Sequence, residues 1–237
     1  MTDIREYLAR KPLLFDGGMG TYYKAAPGAD CEMANLTDPE GVKKVHAEYL
    51  AAGAQAIKTN TFGLPRMAAA QMPGWEELAE AGWKLACDAA AEKDAAVFAD
   101  LGPAPDTEAA PASSAYGLVA QQFAALGAKN FLFETLSSDV GIVEAVKALR
   151  VAVPDAFVMV SFAVLPDGYT REGLLFRDLL RRMEQSGVVD AVGLNCVSAP
   201  GAMKKLVQSL GETLLPLSVM PNAGYPVVTR ARMQYQS

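Results

Sequence analysis

Short apolar runs recur along the chain, separated by stretches of helical periodicity. The runs are LLFDGG (13–18), AQAIKTNTF (54–62), AAVFADLGP (95–103), NFLFET (130–135), FVMVSFAV (157–164), AVGLNC (191–196) and LPLSVMPNAG (215–224). They are continuous rather than alternating, as expected of strands covered on both faces. Between them, Thr37-Asp38-Pro39-Glu40 predicts a helix start with proline at the first helical position. Val42, Val45, Tyr49 and Leu50 then share one face, and Gly53 supplies the stop. Later segments repeat the plan before Gly127, Gly187 and Gly211.

Strands alternating with helices predict βαβ units and a parallel sheet. Seven such strands, with no dinucleotide-type glycine motif after the first, favour an α/β (β/α)8 TIM barrel over a doubly wound sheet. An eighth strand is then required, and the tail VVTRARMQYQS contains none. The sequence therefore predicts one domain over 1–237, a barrel ending after its seventh strand, with unpaired edges through which it could self-associate. PAPDTEAAPASS (103–114), after the third strand, reads as a mobile connector on the C-terminal face, or less readily as a lid.

Charge narrows the function. Acidic residues outnumber basic ones 27 to 21, a net charge of -6, which argues against a nucleic-acid partner. No apolar run is long enough to span a bilayer, and the first residues carry no signal-peptide core. Three widely spaced cysteines make no disulfide framework and point to a reducing cytoplasm. A lone histidine, His46, leaves little room for histidine-based catalysis and is expected in a packing or surface role.

Barrel chemistry sits at the C-terminal strand ends. Read in order, these offer Asp16-Gly17-Gly18, Thr59-Asn60-Thr61-Phe62, Gly102-Pro103, Glu134-Thr135, Ser161-Phe162, Asn195-Cys196 and Pro221-Asn222-Ala223-Gly224. This ring has two carboxylates, many small polar groups and no basic residue, which suits a small zwitterion. Plainer roles compete: Asp16 as a turn cap, Asn195 and Asn222 as partners for loop backbone, Cys196 as a small buried residue. Glu134 is costly to bury without a partner.

DGGMGT (16–21), Glu32 and Asn35 before PEGVKKVHAEYLAAGAQAIKTNTF (39–62), FLFET (131–135), SF…DGYTREG (161–173), GLNC (193–196) and PNAG (221–224) occur in register along the barrel. Together they resemble the homocysteine S-methyltransferase family, which includes the homocysteine-binding barrel of cobalamin-dependent methionine synthase. The resemblance implies methyl transfer to the homocysteine thiol, giving methionine, on a zinc ion held by three cysteine thiolates. It assigns Cys196 as one zinc ligand and the other two to an adjacent Cys-Cys pair ending strand eight, a pair absent here. It places the homocysteine amino and carboxylate groups on Asp16, Gly17 and Glu134, and gives Asn195 and Asn222 an orienting role. Methylcobalamin from another module, a sulfonium such as S-methylmethionine, and betaine all remain open as the donor. Zinc matters because a free thiol of pKa about 8.5 is mostly protonated at neutral pH.

Two other readings stand beside this one. Lys58, unusual inside a strand, could form a Schiff base as in barrel aldolases. Alternatively, the chain is a non-catalytic barrel fragment or one module of a larger methionine synthase-like protein. A site built jointly from Cys31, Cys87 and Cys196 is disfavoured, because Cys87 falls in an outer helix.

Overall fold

The computed structural model describes residues 3–23, 30–223 and the backbone of 226–229 and 232–235. Six strands form one sheet in chain order: β1 (Ala56–Lys58), β2 (Ala96–Leu101), β3 (Asn130–Leu136), β4 (Phe157–Ala163), β5 (Ala191–Asn195) and β6 (Leu217–Met220). Every adjacent pair is parallel. Phe98 on β2 and Phe157 on β4 are two strands apart, yet their rings meet at 6.0 Å on the inner face, so the sheet is curled into an open half-barrel.

One sequence expectation needs correction. The run at 13–18 is no full strand: Phe15 makes a single parallel bridge to Ala56 before Gly17 and Gly18 turn the chain into the short helix Met19–Tyr23. The barrel therefore has six strands and a bridge among the described residues, not seven strands. As expected, the described part of the tail adds no strand to the parallel sheet. Pro226–Thr229 and Arg232–Tyr235 pair antiparallel with each other, in a sheet separate from the parallel one.

Inside the sheet, side chains alternate between two environments. Ile57, Ala99, Leu101, Phe131, Phe133, Val158, Val160, Val192 and Leu194 point outward to the helices. Ala56, Phe98, Leu132, Phe157, Met159 and Ala191 point inward and close over Ile4 of the N-terminal helix Ile4–Leu8. Both sets are apolar, which is why the strands read as continuous runs. Arg5 fastens this N-terminal plug to the lower rim, donating to the carbonyls of Asp155 and Ala156 and to the Asp190 carboxylate. The helix Pro39–Ala51 has Asp38 as its N-cap, bonded to the Gly41 N–H, and Gly53 beyond its end at φ +106. Among the described residues no helix is long and apolar enough to cross a membrane.

Two hydrogen bonds anchor the 103–114 loop. The Ala104 N–H donates to the Tyr116 hydroxyl, and Asp106 caps the following helix at Ala112.

His46 is fully buried in Pro39–Ala51, and neither ring nitrogen has a hydrogen-bond partner among the described residues. Burial pushes its pKa down to about 4, against about 6.5 for a free histidine. The folded state thus keeps the ring neutral while the unfolded chain protonates, so this contribution is intact above pH 6.5 and declines as pH falls toward 4. His46→Leu is expected to recover roughly 3 kcal/mol of that decline at pH 4 relative to pH 7. Urea denaturation of both proteins across this range checks it, and a pH-independent difference between them contradicts it.

Candidate functional site

The inward face changes character near the C-terminal ends of the strands. Lys58 on β1 follows Ala56 at the same alternation, Asp100 follows Phe98 on β2, and Glu134 follows Leu132 on β3. Ser161 follows Met159 on β4, and Asn195 completes β5. Parallel register carries each polar residue forward: Lys58 lies opposite Phe98 and Asp100 opposite Leu132, the stagger that curls a sheet. Asp16, just past the Phe15 bridge, joins this layer by accepting the Lys58 backbone N–H at 3.1 Å. All except Ser161 line one cavity of about 900 Å³, which runs from this layer down the apolar interior.

A β-bulge shapes the wall. Phe133 pairs with Val160 but Leu136 with Phe162, so β3 carries one extra residue across Glu134 and Thr135. Thr135 sits at φ +60, a conformation a β-branched residue rarely adopts. Cys196 and Val197 are also left-handed, at φ +56 and +54. Bulges and strained residues gather where side chains must be re-aimed, and here Asn195 holds them. Its Oδ1 accepts from the Thr135 N–H at 3.0 Å and the Ser161 hydroxyl at 2.9 Å. Its Nδ2 lies 3.2 Å from Glu134 Oε2, 2.8 Å from Thr135 Oγ1 and 3.5 Å from Cys196 Sγ. Thr135 Oγ1 reaches the same sulfur at 3.6 Å.

Electrostatics are dominated by one ammonium among three carboxylates. Lys58 Nζ lies 3.4 Å from Glu134 Oε2. Burial alone pulls Lys58 down, but Glu134, Asp16 and Asp100 together outweigh it and hold the amine charged. Asp16 is pushed up to about 7, chiefly by burial, with Lys58 opposing. Asp100 is raised well above the carboxylate range, first by burial and then by Glu134. Burial also raises the Cys196 thiol, so in this setting it stays protonated at neutral pH.

The structure thus gathers Asp16, Gly17, Glu134, Asn195, Cys196 and Asn222 around one cavity. Gly17 packs close under Tyr49: a Cβ there would meet its hydroxyl at 2.6 Å, so a larger residue would have to displace that side chain. Asn222 is placed by its backbone N–H, which donates to the Ser198 carbonyl. Glu32 and Asn35 fasten the 31–37 segment to the end of β1: Glu32 accepts the Gly63 N–H, and Asn35 donates to the Asn60 carbonyl. No residue of the 103–114 loop lines the cavity.

The strand-end residues predict a ring of two carboxylates and no basic residue. Asp100 and Lys58 correct both points. Their signal was present in the strands themselves, a charge inside AVFADL and another inside AIK, each at the inward alternation. Cys31 also lines this cavity, while Cys87 lines a separate, smaller one under the N-terminal helix.

The three-thiolate zinc site implied by the family resemblance does not fit these residues. The whole sequence has three cysteines, and only Cys31 and Cys196 face the cavity. Among the described residues no three His, Cys, Asp or Glu side chains converge to hold a metal, and residues 1–2, 24–29 and 224–237 contain none of these types.

Asp16 offers a direct check of the layer's charge. Its folded pKa lies above the unfolded value of 3.8, so its contribution to stability is full below that value and is lost as pH rises through about 7. Asp16→Asn is expected to be more stable than the parent above pH 7, by up to roughly 4 kcal/mol, with the gap closing toward pH 4. Denaturant titrations of the ligand-free proteins measure this; a variant less stable at pH 8 contradicts it.

Comparison with known proteins agrees with this geometry. The family model for homocysteine S-methyltransferase matches residues 13–237. The chain is 30% identical over 263 residues to the methionine synthase of Mycobacterium tuberculosis, covering 99% of this chain and 22% of that protein. It thus spans about a fifth of the length of that relative. It is 25% identical to the homocysteine S-methyltransferase of Escherichia coli K12, covering 90% of this chain and 78% of that one. The crystal structure of the E. coli homocysteine methyltransferase MmuM in metallated form superposes with a TM-score of 0.75 at 24% identity, over 94% of this chain and 88% of that one, a likeness of fold. With its polar layer, its Cys196 and a match along nearly its whole length, this chain belongs to the homocysteine S-methyltransferase family.

Proposed function

We propose that the chain is a homocysteine-binding barrel serving methyl transfer to the homocysteine thiol, with methionine as product. The observation that carries this reading is the juxtaposition of Cys196 with the Glu134–Asn195 pair in a cavity whose wall is rich in carboxylates. Glu134 and Asp16 receive the amino group of the ligand, and the backbone at Gly17 faces its carboxylate. Asn195 fixes Glu134 relative to Cys196, so the amino acid head and the sulfur end are set by one carboxamide, and Asn222 closes the rim beside them. The reaction forms an S–CH3 bond to the thiol and breaks the bond between the methyl and its donor, in line, with release of the thiol proton. Water exclusion falls to the apolar lower interior of Phe98, Leu132 and Met159.

In this reading Cys196 is one zinc ligand, and these 237 residues do not supply the other two thiolates; the chain spans 22% of the length of the mycobacterial relative. The same difference in length supports methylcobalamin on another module as donor. A cytoplasmic setting and self-association through the open edge complete the proposal; β6 pairs with β5 alone among the described strands. The Schiff-base alternative is disfavoured by Lys58 itself. An aldolase lysine needs a neutral amine, and three carboxylates hold this one charged.

Calorimetry with L-homocysteine and zinc analysis by elemental mass spectrometry test the reading together. Homocysteine is expected to bind, and Glu134→Gln to weaken it by about tenfold or more, the worth of a charge-assisted bond. Zinc is expected well below one equivalent in this chain, raised by homocysteine and abolished in Cys196→Ser. Absence of homocysteine binding, or tight zinc that survives Cys196→Ser, overturns it.

A further inference from the structure

Three inward-facing carboxylates share one lysine, and two of them have an oxygen with nothing to bond. Asp16 Oδ1 and Asp100 Oδ1 are shielded from solvent and lack a hydrogen-bond partner among the described residues. Asp100 is 4% exposed, and both residues line the cavity that holds Lys58 and Glu134. An ionised oxygen left this way is costly, and both groups are raised by burial accordingly. Lys58 meanwhile uses one of its three donors on a side chain, at 3.4 Å from Glu134 Oε2. Its four-carbon stem is flexible, and its neighbours in the layer on the next two strands are Asp100 and Glu134.

This arrangement poses a problem for a ligand bearing an amine. Glu134, held by Asn195, is the carboxylate aimed beside Cys196, yet an internal ammonium already sits on it. The orphan oxygen of Asp100, shut off from solvent, is poorly placed for an incoming ligand but well placed for an internal cation. We propose that Lys58 is a mobile counter-ion of this site: the ligand's ammonium group takes Glu134, and the Lys58 ammonium swings onto Asp100, with Asp16 alongside. The exchange breaks the Lys58–Glu134 ion pair and makes two, and the proton that burial favours on Asp100 leaves to solvent as the Lys58 ammonium arrives. Before it, three carboxylates face one ammonium; after it, they face two. Lys58 and Asp100 are positioning residues, and their combined effect is to favour ligands that bring a cation of their own. This inference rests on homocysteine being the ligand.

The test is a binding cycle with two probes, L-homocysteine and 4-sulfanylbutanoate, which lacks only the amino group. The wild type is expected to prefer homocysteine. Asp100→Asn removes the destination of Lys58, locks it on Glu134 and cuts that preference by about tenfold, while adding Lys58→Met to Asp100→Asn restores it to within about threefold of wild type. A structural role for either residue does not produce such a rescue. Asp100→Asn weakening both probes equally, or no rescue by Lys58→Met, overturns the inference while leaving the homocysteine reading in place. A wild type that binds neither probe overturns that reading and the inference with it. A crystal structure with homocysteine bound provides the direct view: Lys58 Nζ is expected at hydrogen-bond distance from Asp100, and Nζ still on Glu134 beside bound ligand contradicts the exchange.

Discussion

A parallel strand in a curled sheet has two buried faces, and everything in this molecule follows from how the inner one is filled. The outer face meets helices and is apolar throughout. The inner face meets only the short helix Ile4–Leu8, so its lower part packs on Ile4 and on itself through Phe98, Leu132, Phe157 and Met159. Its upper part is given over to Lys58, Asp100, Glu134, Ser161 and Asn195. Charges in so enclosed a place survive only when compensated. One lysine compensates three carboxylates incompletely, and the shortfall appears as raised Asp16 and Asp100. A pocket short of positive charge is suited to a ligand that supplies it.

Asn195 turns this layer from a set of charges into a site. It bonds to groups on β3 and β4 from the end of β5, and each of its polar atoms is engaged at least twice. The left-handed Thr135 and the bulge beneath it persist because that carboxamide receives the Thr135 N–H. Cys196, also left-handed, emerges one residue later with its sulfur facing Asn195 and Thr135. Strain of this kind costs of order 1–3 kcal/mol per residue and is kept where geometry matters more than stability. The stability of the whole is supplied elsewhere, by the outer helix layer and by the N-terminal plug held through Arg5.

Much of this was legible in the residues. Strand positions, helix boundaries at Asp38 and Gly53, and the convergence of Asp16, Glu134, Asn195 and Cys196 follow from pattern and from family resemblance. What escaped did so for physical reasons. Strands buried on both faces show no alternation, so the inward phase of Asp100, and the fact that the conspicuous Lys58 joins it in one layer, are hidden until the register is known. LLFDGG has the composition of a strand, but Gly17 and Gly18 end it after one bridge. In the tail, VVTRARMQY has no apolar run to enter a parallel sheet, yet its two halves pair with each other. His46 was foreseen as packing or surface; its complete burial depends on tertiary contacts that helical periodicity does not encode.

In the proposed reading, the charged layer takes the head of an amino-acid thiol and Cys196 lies near its sulfur end, while the three cysteines of this sequence do not make a three-thiolate zinc site. The claim that these residues form one ligand site is tested most directly by cysteine footprinting. Maleimide labelling at pH 8.5, read residue by residue by mass spectrometry, follows Cys31, Cys87 and Cys196 with and without L-methionine, which presents the same amino acid head and cannot react with the reagent. The account predicts that methionine slows labelling of Cys196 and leaves Cys87, in its separate cavity, unchanged. Equal rates at Cys196 with saturating methionine, or protection of Cys87 instead, contradict it.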